Sequence, residues 1–175
     1  RRQRQMCIRD RPYGLHRARN EKFFTEEKIL SLRKCVEPTF TYSNEENYVL
    51  QSYNIIKSKR INLKYLTGIL NSKLIKFWLL KKGKMQGDIF QVDKAPILQI
   101  PIHKTKDKEI ENQMISFVDK IIKAKGQEHS SESSHDKEFF YNYSKSVVND
   151  IDNLVYKIYN ISDEEQAIIE SLLKQ

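Results

Sequence analysis

The chain has 175 residues, of which 31 are Lys or Arg and 23 are Asp or Glu, so its formal net charge is +8. This length is sufficient for one hydrophobic core with an appended element, and no apolar run reaches the roughly 18 to 20 residues that a membrane span needs. The two cysteines form neither a disulfide framework nor a zinc-site spacing, so we expect a cytoplasmic protein without membrane contact.

The positive charge is concentrated in the first part of the chain. Residues 1–104 contain 22 basic and 9 acidic side chains, whereas residues 105–175 contain 9 basic and 14 acidic ones. Such asymmetry indicates a region that faces a polyanion, followed by a region with another task. We therefore divide the chain into a β-rich domain at 13–104 and a helical carboxyl-terminal region at 105–175.

The first twelve residues, RRQRQMCIRDRP, are predicted to lie outside the fold. They contain five arginines and few apolar residues, a composition that cannot form packed structure alone. The stretch QRQMCIRDR also resembles the conceptual translation of sequencing-adaptor DNA. Residues 1–12 are therefore interpreted as a disordered or non-native leader.

The next segments predict three β-strands. Ile29, Leu30 and Leu32 are flanked by basic residues and fit a short strand better than a helix. Residues 40–42 and 48–56 are rich in aromatic and β-branched side chains, and turn-forming residues lie between them. This pattern predicts that the second and third strands pair as a hairpin.

Residues 61–102 predict a core helix and the strands that follow it. Asn62 occupies an N-cap position, and apolar residues then recur at three- and four-residue steps as far as Trp78, which predicts one helix over Ile61–Leu80. A basic loop, Lys81–Gly87, follows this helix and is bounded by glycines. Strands are predicted at Asp88–Val92 and, between Pro96 and Pro101, at residues 97–100.

The last seventy residues are predicted to be helical. Helical periodicity covers residues 106–125 and 147–158, and the polar, serine-rich residues 126–137 between them predict a flexible loop. Ser162–Glu165 has capping-box spacing and predicts a further short helix. The predicted fold class is thus α+β, with a small mixed β-sheet, a core helix and a helical tail.

No motif predicts a catalytic, cofactor or metal site in this chain. The four histidines have no Cys or carboxylate cluster at ligand spacing, and no phosphate loop or nucleophile motif occurs. Cys35 is expected to pack as a small apolar residue. A nuclease is disfavoured because no metal-binding carboxylate cluster is visible.

Basic side chains spread over several loops instead predict binding to double-stranded DNA. Most would contact phosphates, and Arg60 and Gln86 are the candidates for reading base edges. The full set of candidate DNA-binding residues is Arg17, Arg19, Arg33, Lys34, Lys57, Lys59, Arg60, Lys81, Lys82, Lys84 and Gln86.

Three short motifs also resemble a known family. Leu70-Asn71-Ser72, Ile100-Pro101-Ile102 and the terminal segment 151–165, with its VYKIY core, occur in the order of the LNS, lPI and iDelVYelYgLteeE motifs. These belong to the carboxyl-terminal target-recognition domain of TaqI-like adenine-specific DNA methyltransferases and type IIG restriction–modification enzymes. Upstream, Arg17, Arg19 and the Lys28-Ile29 pair resemble the family's entry strand.

The resemblance implies a role in choosing the DNA site. The family's S-adenosylmethionine motif and its (N/D)PP(Y/F) motif for the flipped adenine do not occur in these residues, so the chain is expected to be the carboxyl-terminal fragment of a larger enzyme. Its partners would be double-stranded DNA and a methyltransferase domain in cis, or a subunit in trans. S-adenosylmethionine would belong to that catalytic part, not to this chain.

Two alternatives stay open. The chain could be half of a type I restriction specificity subunit, in which long helices bind separate methyltransferase subunits. It could also be a helical protein-interaction module that does not bind DNA. The short tail favours the TaqI-like interpretation over the type I subunit, because a specificity subunit would show a longer heptad-like spacer.

Overall fold

The computed structural model describes residues 20–173, and these contain both helices and short strands. The helices are α1 Lys22–Thr25, α2 Leu63–Leu70, α3 Lys73–Lys82, α4 Lys94–Gln99, α5 Lys108–Ser130, α6 Ser134–Ile158 and α7 Asp163–Leu173. The strands are β1 Lys28–Leu32, β2 Lys34–Cys35, β3 Phe40–Ser43, β4 Tyr53–Ile56, β5 Lys84–Gln86 and β6 Ile89–Gln91. The predicted leader, residues 1–12, lies outside the described residues.

The first sheet has the strand order β3-β1-β4, and both pairings are antiparallel. Ile29 lies opposite Tyr42 on one side and Ile56 on the other. The predicted strand at β1 is confirmed, but the predicted hairpin between 40–42 and 48–56 is wrong because β1 lies between the two strands. The long third strand is also reduced to Tyr53–Ile56.

The second sheet has the order β2-β6-β5 and is also antiparallel. Strand β2 follows β1 after Arg33 alone, so the two sheets are joined by a single residue. The predicted basic loop after the core helix is wrong in part, because Lys84–Gln86 forms β5 and pairs with β6. Gly87 has a φ of +59°, a backbone conformation that favours glycine at the tight turn between these strands.

The predicted core helix is two helices, α2 and α3, that are separated by Asn71 and Ser72. The Asn71 side chain accepts a hydrogen bond from the Phe40 N–H at 3.0 Å and donates to the carbonyl oxygens of Phe40 (2.7 Å) and Thr67 (2.9 Å). The Ser72 hydroxyl caps α3 by accepting from the Ile75 N–H. The LNS motif is therefore a helix junction that is bonded to strand β3. The predicted N-cap at Asn62 is confirmed, since its side chain accepts from the N–H groups of Lys64 and Tyr65.

Residues 97–100 do not form the predicted strand, because Lys94–Gln99 forms helix α4. Pro96 is the third residue of this helix, a position whose backbone N–H has no partner within the helix. The proline therefore removes no helical hydrogen bond. Pro101 directly follows the C-cap residue Ile100, a position that is common for proline after a helix. Proline boundaries thus fit a short helix as well as an edge strand.

Residues 126–137 are almost entirely helical, so the predicted flexible loop is wrong. Helix α5 continues to Ser130, α6 begins at Ser134, and only residues 131–133 connect them. Ser131 is the C-cap residue of α5, and the Ser133 hydroxyl accepts a hydrogen bond from the Asp136 N–H at 3.4 Å. The serines therefore end one helix and start the next. The two helices pack against each other along the hairpin.

One continuous hydrophobic core contains residues from the sheets and from the helical tail. Helix α2 contacts β1 and β3 and also packs against α5 and α6. At the α2–α5 contact, the backbone of Gly68 lies so close to Met114 that an added Cβ would be 2.3 Å from its sulfur. The prediction of an α+β protein is confirmed. Its single mixed sheet is replaced by two antiparallel sheets.

Hydrogen bonds connect the terminal segment to the two earlier motifs. The buried carboxylate of Asp152 accepts from the Lys73 N–H at 2.8 Å, directly after the LNS residues. Burial raises the pKa of Asp152, while its contacts with Lys73 oppose that rise. Tyr159 donates its hydroxyl proton to the Pro101 carbonyl at 2.7 Å and accepts from the His103 N–H at 3.0 Å. The three motifs therefore belong to one structural frame.

Helix α7 begins with the predicted capping box, which is confirmed. The Glu165 N–H donates to the Ser162 hydroxyl at 3.3 Å, and the Ser162 N–H donates to the Glu165 carboxylate at 2.9 Å. The helix packs against α3, and its Glu170 forms an ion pair with Lys73 at 2.8 Å.

Candidate nucleic-acid interface

The second sheet presents a polar, basic face to solvent. Lys34 lies opposite Gln91, and Gln91 lies opposite Lys84. Because side chains of directly paired residues extend from the same face of a sheet, these three form one row across the strands. Gln86 and Ile89 are two residues away along β5 and β6 and therefore share that face. We call these five residues the outer face of the second sheet.

The opposite face of the same sheet packs against the hydrophobic core. Phe90 is buried in the hydrophobic cluster, and Cys35 packs against that cluster, as the sequence predicted. Burial raises the pKa of the Cys35 thiol. Met85, which is paired with Phe90, lies on the same face but is exposed. Phe90 and Cys35 thus attach the sheet to the core, and the side chains of the outer face extend in the opposite direction.

The two glutamines on the outer face are in contact. The Gln91 side-chain amide donates a hydrogen bond to the Gln86 side-chain oxygen over 3.2 Å. A glutamine amide offers both donors and an acceptor, so the pair keeps unused groups that can bond to another molecule. Two lysines lie beside them at the Lys34–Gln91–Lys84 row. Side chains able to contact base edges are thus adjacent to side chains able to contact phosphates.

Arg33 lies where the two sheets join. Its guanidinium forms an ion pair of 2.8 Å with Asp93, and its carbonyl oxygen accepts from the Val92 N–H at 2.8 Å. Its side chain keeps 49% exposure, so the ion pair orients the guanidinium without burying it. Arg33 also lines an open pocket of about 630 Å³ together with Phe23, Tyr53 and Lys94.

Lys81 and Lys82 lie at the carboxyl end of α3, immediately before the second sheet. Lys81 lies over the Phe77 ring at 5.9 Å from its centroid, and both lysine side chains are exposed. Their positive charges also interact favourably with the partial negative charge at the carboxyl end of the helix. They are therefore next to the outer face but are not part of its cross-strand row.

Lys57 makes contacts within the protein. It donates to the Lys22 carbonyl oxygen at 2.7 Å and forms an ion pair with Glu26. The hydrogen bond from Lys57 lowers the pKa of Glu26 below its ordinary value. These contacts give Lys57 a structural role, and its predicted contact with DNA stays a prediction.

Lys59 and Arg60 are separated from the second sheet by the length of the first. They follow β4, whose end at Ile56 pairs with Ile29, whereas Arg33 follows the other end of β1 at Leu32. Lys59 and Arg60 line a groove together with Lys104, Lys106 and Lys108. Arg17 and Arg19 lie outside the described residues.

Apart from Lys57, the predicted DNA-binding residues within 20–173 lie in two regions of the surface. Lys34, Lys84 and Gln86 come together on the outer face of the second sheet, with Arg33, Lys81 and Lys82 beside it. Sequence reasoning missed Gln91, although the alternation in β6 places it on the same face as Ile89. It also missed Lys104, Lys106 and Lys108, because nothing in the local pattern shows that they meet Lys59 and Arg60.

Within residues 20–173, no group of three or more His, Cys, Asp and Glu side chains is arranged to hold a metal ion. In the same part of the chain, none of the helices combines the length and apolarity that crossing a bilayer requires.

Comparison with known proteins gives one family. The family model of the TaqI-like C-terminal specificity domain matches residues 6–102. This range contains both sheets and helices α1 to α4, including the outer face of the second sheet. No curated protein matches the chain.

Proposed function

Because the chain belongs to the family of TaqI-like C-terminal specificity domains, we propose that it selects the DNA target of an adenine-specific methyltransferase or of a fused type II restriction–modification enzyme. A specificity domain of this kind recognises DNA in a methyltransferase context. The finer assignments to adenine and to type II enzymes belong to the proposal.

The outer face of the second sheet is the observation that carries this proposal. The major groove of B-form DNA, about 12 Å wide, accepts a two-stranded β-ribbon, and β5 and β6 form such a ribbon with a tight turn at Gly87. We place this ribbon in the major groove. Gln86 and Gln91 would read base edges, since a glutamine amide can form two hydrogen bonds with adenine. Lys34 and Lys84 would contact the flanking phosphates.

Methyl transfer would be performed by a separate catalytic domain in cis or subunit in trans. That part would bind S-adenosylmethionine, which supplies the methyl group. The present chain would position the duplex and hold it while the target adenine is turned out of the base stack. We place this activity in the cytoplasm, where the enzyme would meet chromosomal DNA.

A second candidate is half of a type I specificity subunit. Helices α5 and α6 have 23 and 25 residues, which corresponds to about 35 Å each. Paired helices of this length are compatible with binding a separate methyltransferase subunit. Sequencing the DNA upstream of the coding segment separates the two candidates. An NPPY-bearing methyltransferase in the same reading frame supports the first candidate, and a second recognition domain supports the type I subunit.

Sequence selection from a random pool of duplexes tests the proposed function. We expect the 175-residue chain to enrich one sequence and to bind it with an affinity that falls as salt rises. The Gln86→Ala/Gln91→Ala variant should lose preference at one or two base pairs, at about 1–3 kcal/mol for each bidentate contact. Its salt dependence should stay close to that of the wild type, because no charge is removed.

Two further variants complete the experiment. Lys34→Ala/Lys84→Ala should weaken binding to all sequences to a similar extent, since phosphate contacts are sequence-independent. Gln113→Ala/Gln127→Ala changes two exposed glutamines on α5 and should leave the enriched sequence unchanged. Binding by the wild-type chain that does not fall with salt would overturn the proposed function. A sequence preference that survives the Gln86/Gln91 substitutions would show that the reading surface lies elsewhere.

A further inference from the structure

A second basic surface lies away from the outer face of the second sheet. It is a groove of about 580 Å³ between residues 59–62, which precede α2, and residues 104–111, which lead into α5. We call it the basic groove, and its basic residues are Lys59, Arg60, Lys104, Lys106 and Lys108. Glu111 is its single acidic lining residue among the residues that the structure describes.

The backbone beneath the groove is held by several hydrogen bonds. The Tyr65 hydroxyl donates to the His103 carbonyl oxygen at 3.0 Å, and Tyr159 bonds both Pro101 and His103. Thr105 accepts the Asp107 N–H at 3.0 Å through its hydroxyl. The segment that carries Lys104 and Lys106 is therefore fixed to the frame, while their side chains remain exposed. Because this backbone is already ordered, only the lysine side chains lose conformational freedom when they bind an anion.

The charge of the groove is largely uncompensated. Lys108 pairs with Glu111 at 2.6 Å, but within residues 20–173 no carboxylate lies within ion-pair distance of Lys59, Arg60, Lys104 or Lys106. Elsewhere, Lys64, Lys73 and Lys76 each lie 2.6–2.8 Å from a carboxylate. Adjacent cations that form no ion pair create a positive potential that attracts an anionic partner.

The groove and the outer face lie toward opposite ends of the first sheet. The groove residues Lys59 and Arg60 follow β4 beyond Ile56, at one end of its pairing with β1. Lys34 of the outer face follows β1 beyond Leu32, at the other end. The paired residues Ile29–Leu32 are three steps along the strand, which span about 10 Å. One ligand that contacts both surfaces would therefore have to be longer than this pairing.

We propose that the basic groove binds the phosphate backbone of the same duplex, at a stretch outside the base pairs that the second sheet reads. This inference rests on the proposed function. An open groove with cations from two segments suits a linear polyanion, and none of its described lining residues is an aromatic ring on which an unstacked base could lie. The contacts are independent of sequence, so the groove adds affinity and orientation without adding selectivity.

Salt titrations of DNA binding test this proposal in the full chain. The test variant is Lys59→Ala/Lys104→Ala/Lys106→Ala, and the control is Lys123→Ala/Lys137→Ala/Lys157→Ala, which removes three exposed lysines from α5 and α6. Both variants have the same net charge. Thermal unfolding and circular dichroism verify that each variant is folded. Two duplexes are compared, one that spans only the enriched sequence and one extended on both sides.

We expect the test variant to bind the extended duplex more weakly. The slope of log K against log salt should be smaller by about 0.9 for each phosphate that the substituted lysines no longer neutralise. The test variant should enrich the same sequence as the wild type. On the short duplex, the difference in affinity between the test variant and the wild type should be small. The control should keep nearly the wild-type slope.

Two outcomes would contradict the proposal, and they differ in what they leave standing. If the test variant and the control bind the extended duplex alike, the groove proposal is overturned while the reading function stands. If the wild-type chain shows no salt-dependent binding, the proposed function fails and the groove proposal fails with it.

Discussion

Two tyrosines in the terminal segment have opposite environments although they lie only three positions apart. The Tyr159 hydroxyl bonds to both Pro101 and His103. The Tyr156 hydroxyl is buried and has no hydrogen-bond partner among the described residues. Burial raises the pKa of Tyr156 to about 12. A satisfied hydroxyl stabilises a fold, whereas a buried unsatisfied one carries the cost of lost hydration.

Phenylalanine substitutions should separate these two tyrosines. Tyr159→Phe leaves the Pro101 carbonyl and the His103 N–H without their partner, so the free energy of unfolding should fall by about 1–2 kcal/mol. Tyr156→Phe removes only the unpaired hydroxyl and should leave stability equal to that of the wild type or slightly higher. Urea unfolding at neutral pH measures both values. A fall for Tyr156→Phe as large as that for Tyr159→Phe would contradict this account.

At the residue scale, the sequence named the basic and amide side chains that are candidates for contacting DNA, but it did not show which of them lie together. Lys34 and Lys84 are far apart in the chain, and only the strand order β2-β6-β5 places both beside Gln91. The meeting of Lys59 with Lys104 likewise depends on packing between distant segments. Composition records charge, whereas pairing register and packing decide where that charge is concentrated.

At the scale of elements, two glycines in helices have opposite roles. Gly68 lies on α2 against Met114, a fully buried side chain on α5. Gly126 lies on α5, and an added Cβ there would have no neighbour within 4 Å. The first glycine permits two helices to approach closely. The second only lowers the helical propensity of an exposed position.

Alanine substitutions should therefore change stability in opposite directions. Gly126→Ala should raise the free energy of unfolding by about 0.5–1 kcal/mol, because alanine favours the helix and restricts the unfolded chain. Gly68→Ala gains the same helical propensity but forces Met114 to move. The overpacking cost of about 1–3 kcal/mol should outweigh this gain, so the free energy of unfolding should fall. Chemical denaturation measures both variants.

A second-site change checks the cause of the Gly68 effect. Replacing Met114 by the smaller alanine in the Gly68→Ala background should cost less stability than Met114→Ala alone, because the added methyl group occupies part of the vacated space.

A destabilising effect of Gly126→Ala would contradict the helical conformation of α5 at residue 126.

The elements that the sequence located correctly have a cap or a periodicity that acts locally. Asn62, the β1 residues and the Ser162–Glu165 box are examples. The junction at Asn71 and Ser72 was missed because apolar periodicity continues from Leu70 to Leu74, while the bonds that fix the junction are made to Phe40. Residues 126–137 were misread because serine caps and serine loops have the same composition.

At the scale of the whole molecule, the core crosses the predicted boundary between residues 104 and 105. Ile69 of α2 and Met114 of α5 belong to the same buried cluster, and so does Val155 of α6. Asp152 and Tyr159 add hydrogen bonds from the tail to Lys73 and Pro101. The recognition region therefore depends on the tail for one side of its hydrophobic core.

Truncation tests this dependence. A chain that ends at Lys104 should lose cooperative unfolding, because α2 would expose the apolar surface that α5 and α6 cover. A chain that ends at Ile161 lacks only α7 and should remain folded with lower stability, since Ile169 and the Lys73–Glu170 ion pair are removed. Thermal melts and NMR amide dispersion measure both. Cooperative melting of the shorter chain would establish residues 13–104 as an independent domain instead.

The opposite orientations of the two faces of the second sheet have an evolutionary consequence. Phe90 and Cys35 hold the sheet from inside, while the outer face extends toward solvent. Mutations at the five codons of that face change the displayed side chains and leave the buried anchors intact. Under the proposed function, new DNA specificities would therefore arise by single substitutions through folded intermediates. The same separation makes these five positions a natural choice for a randomised library.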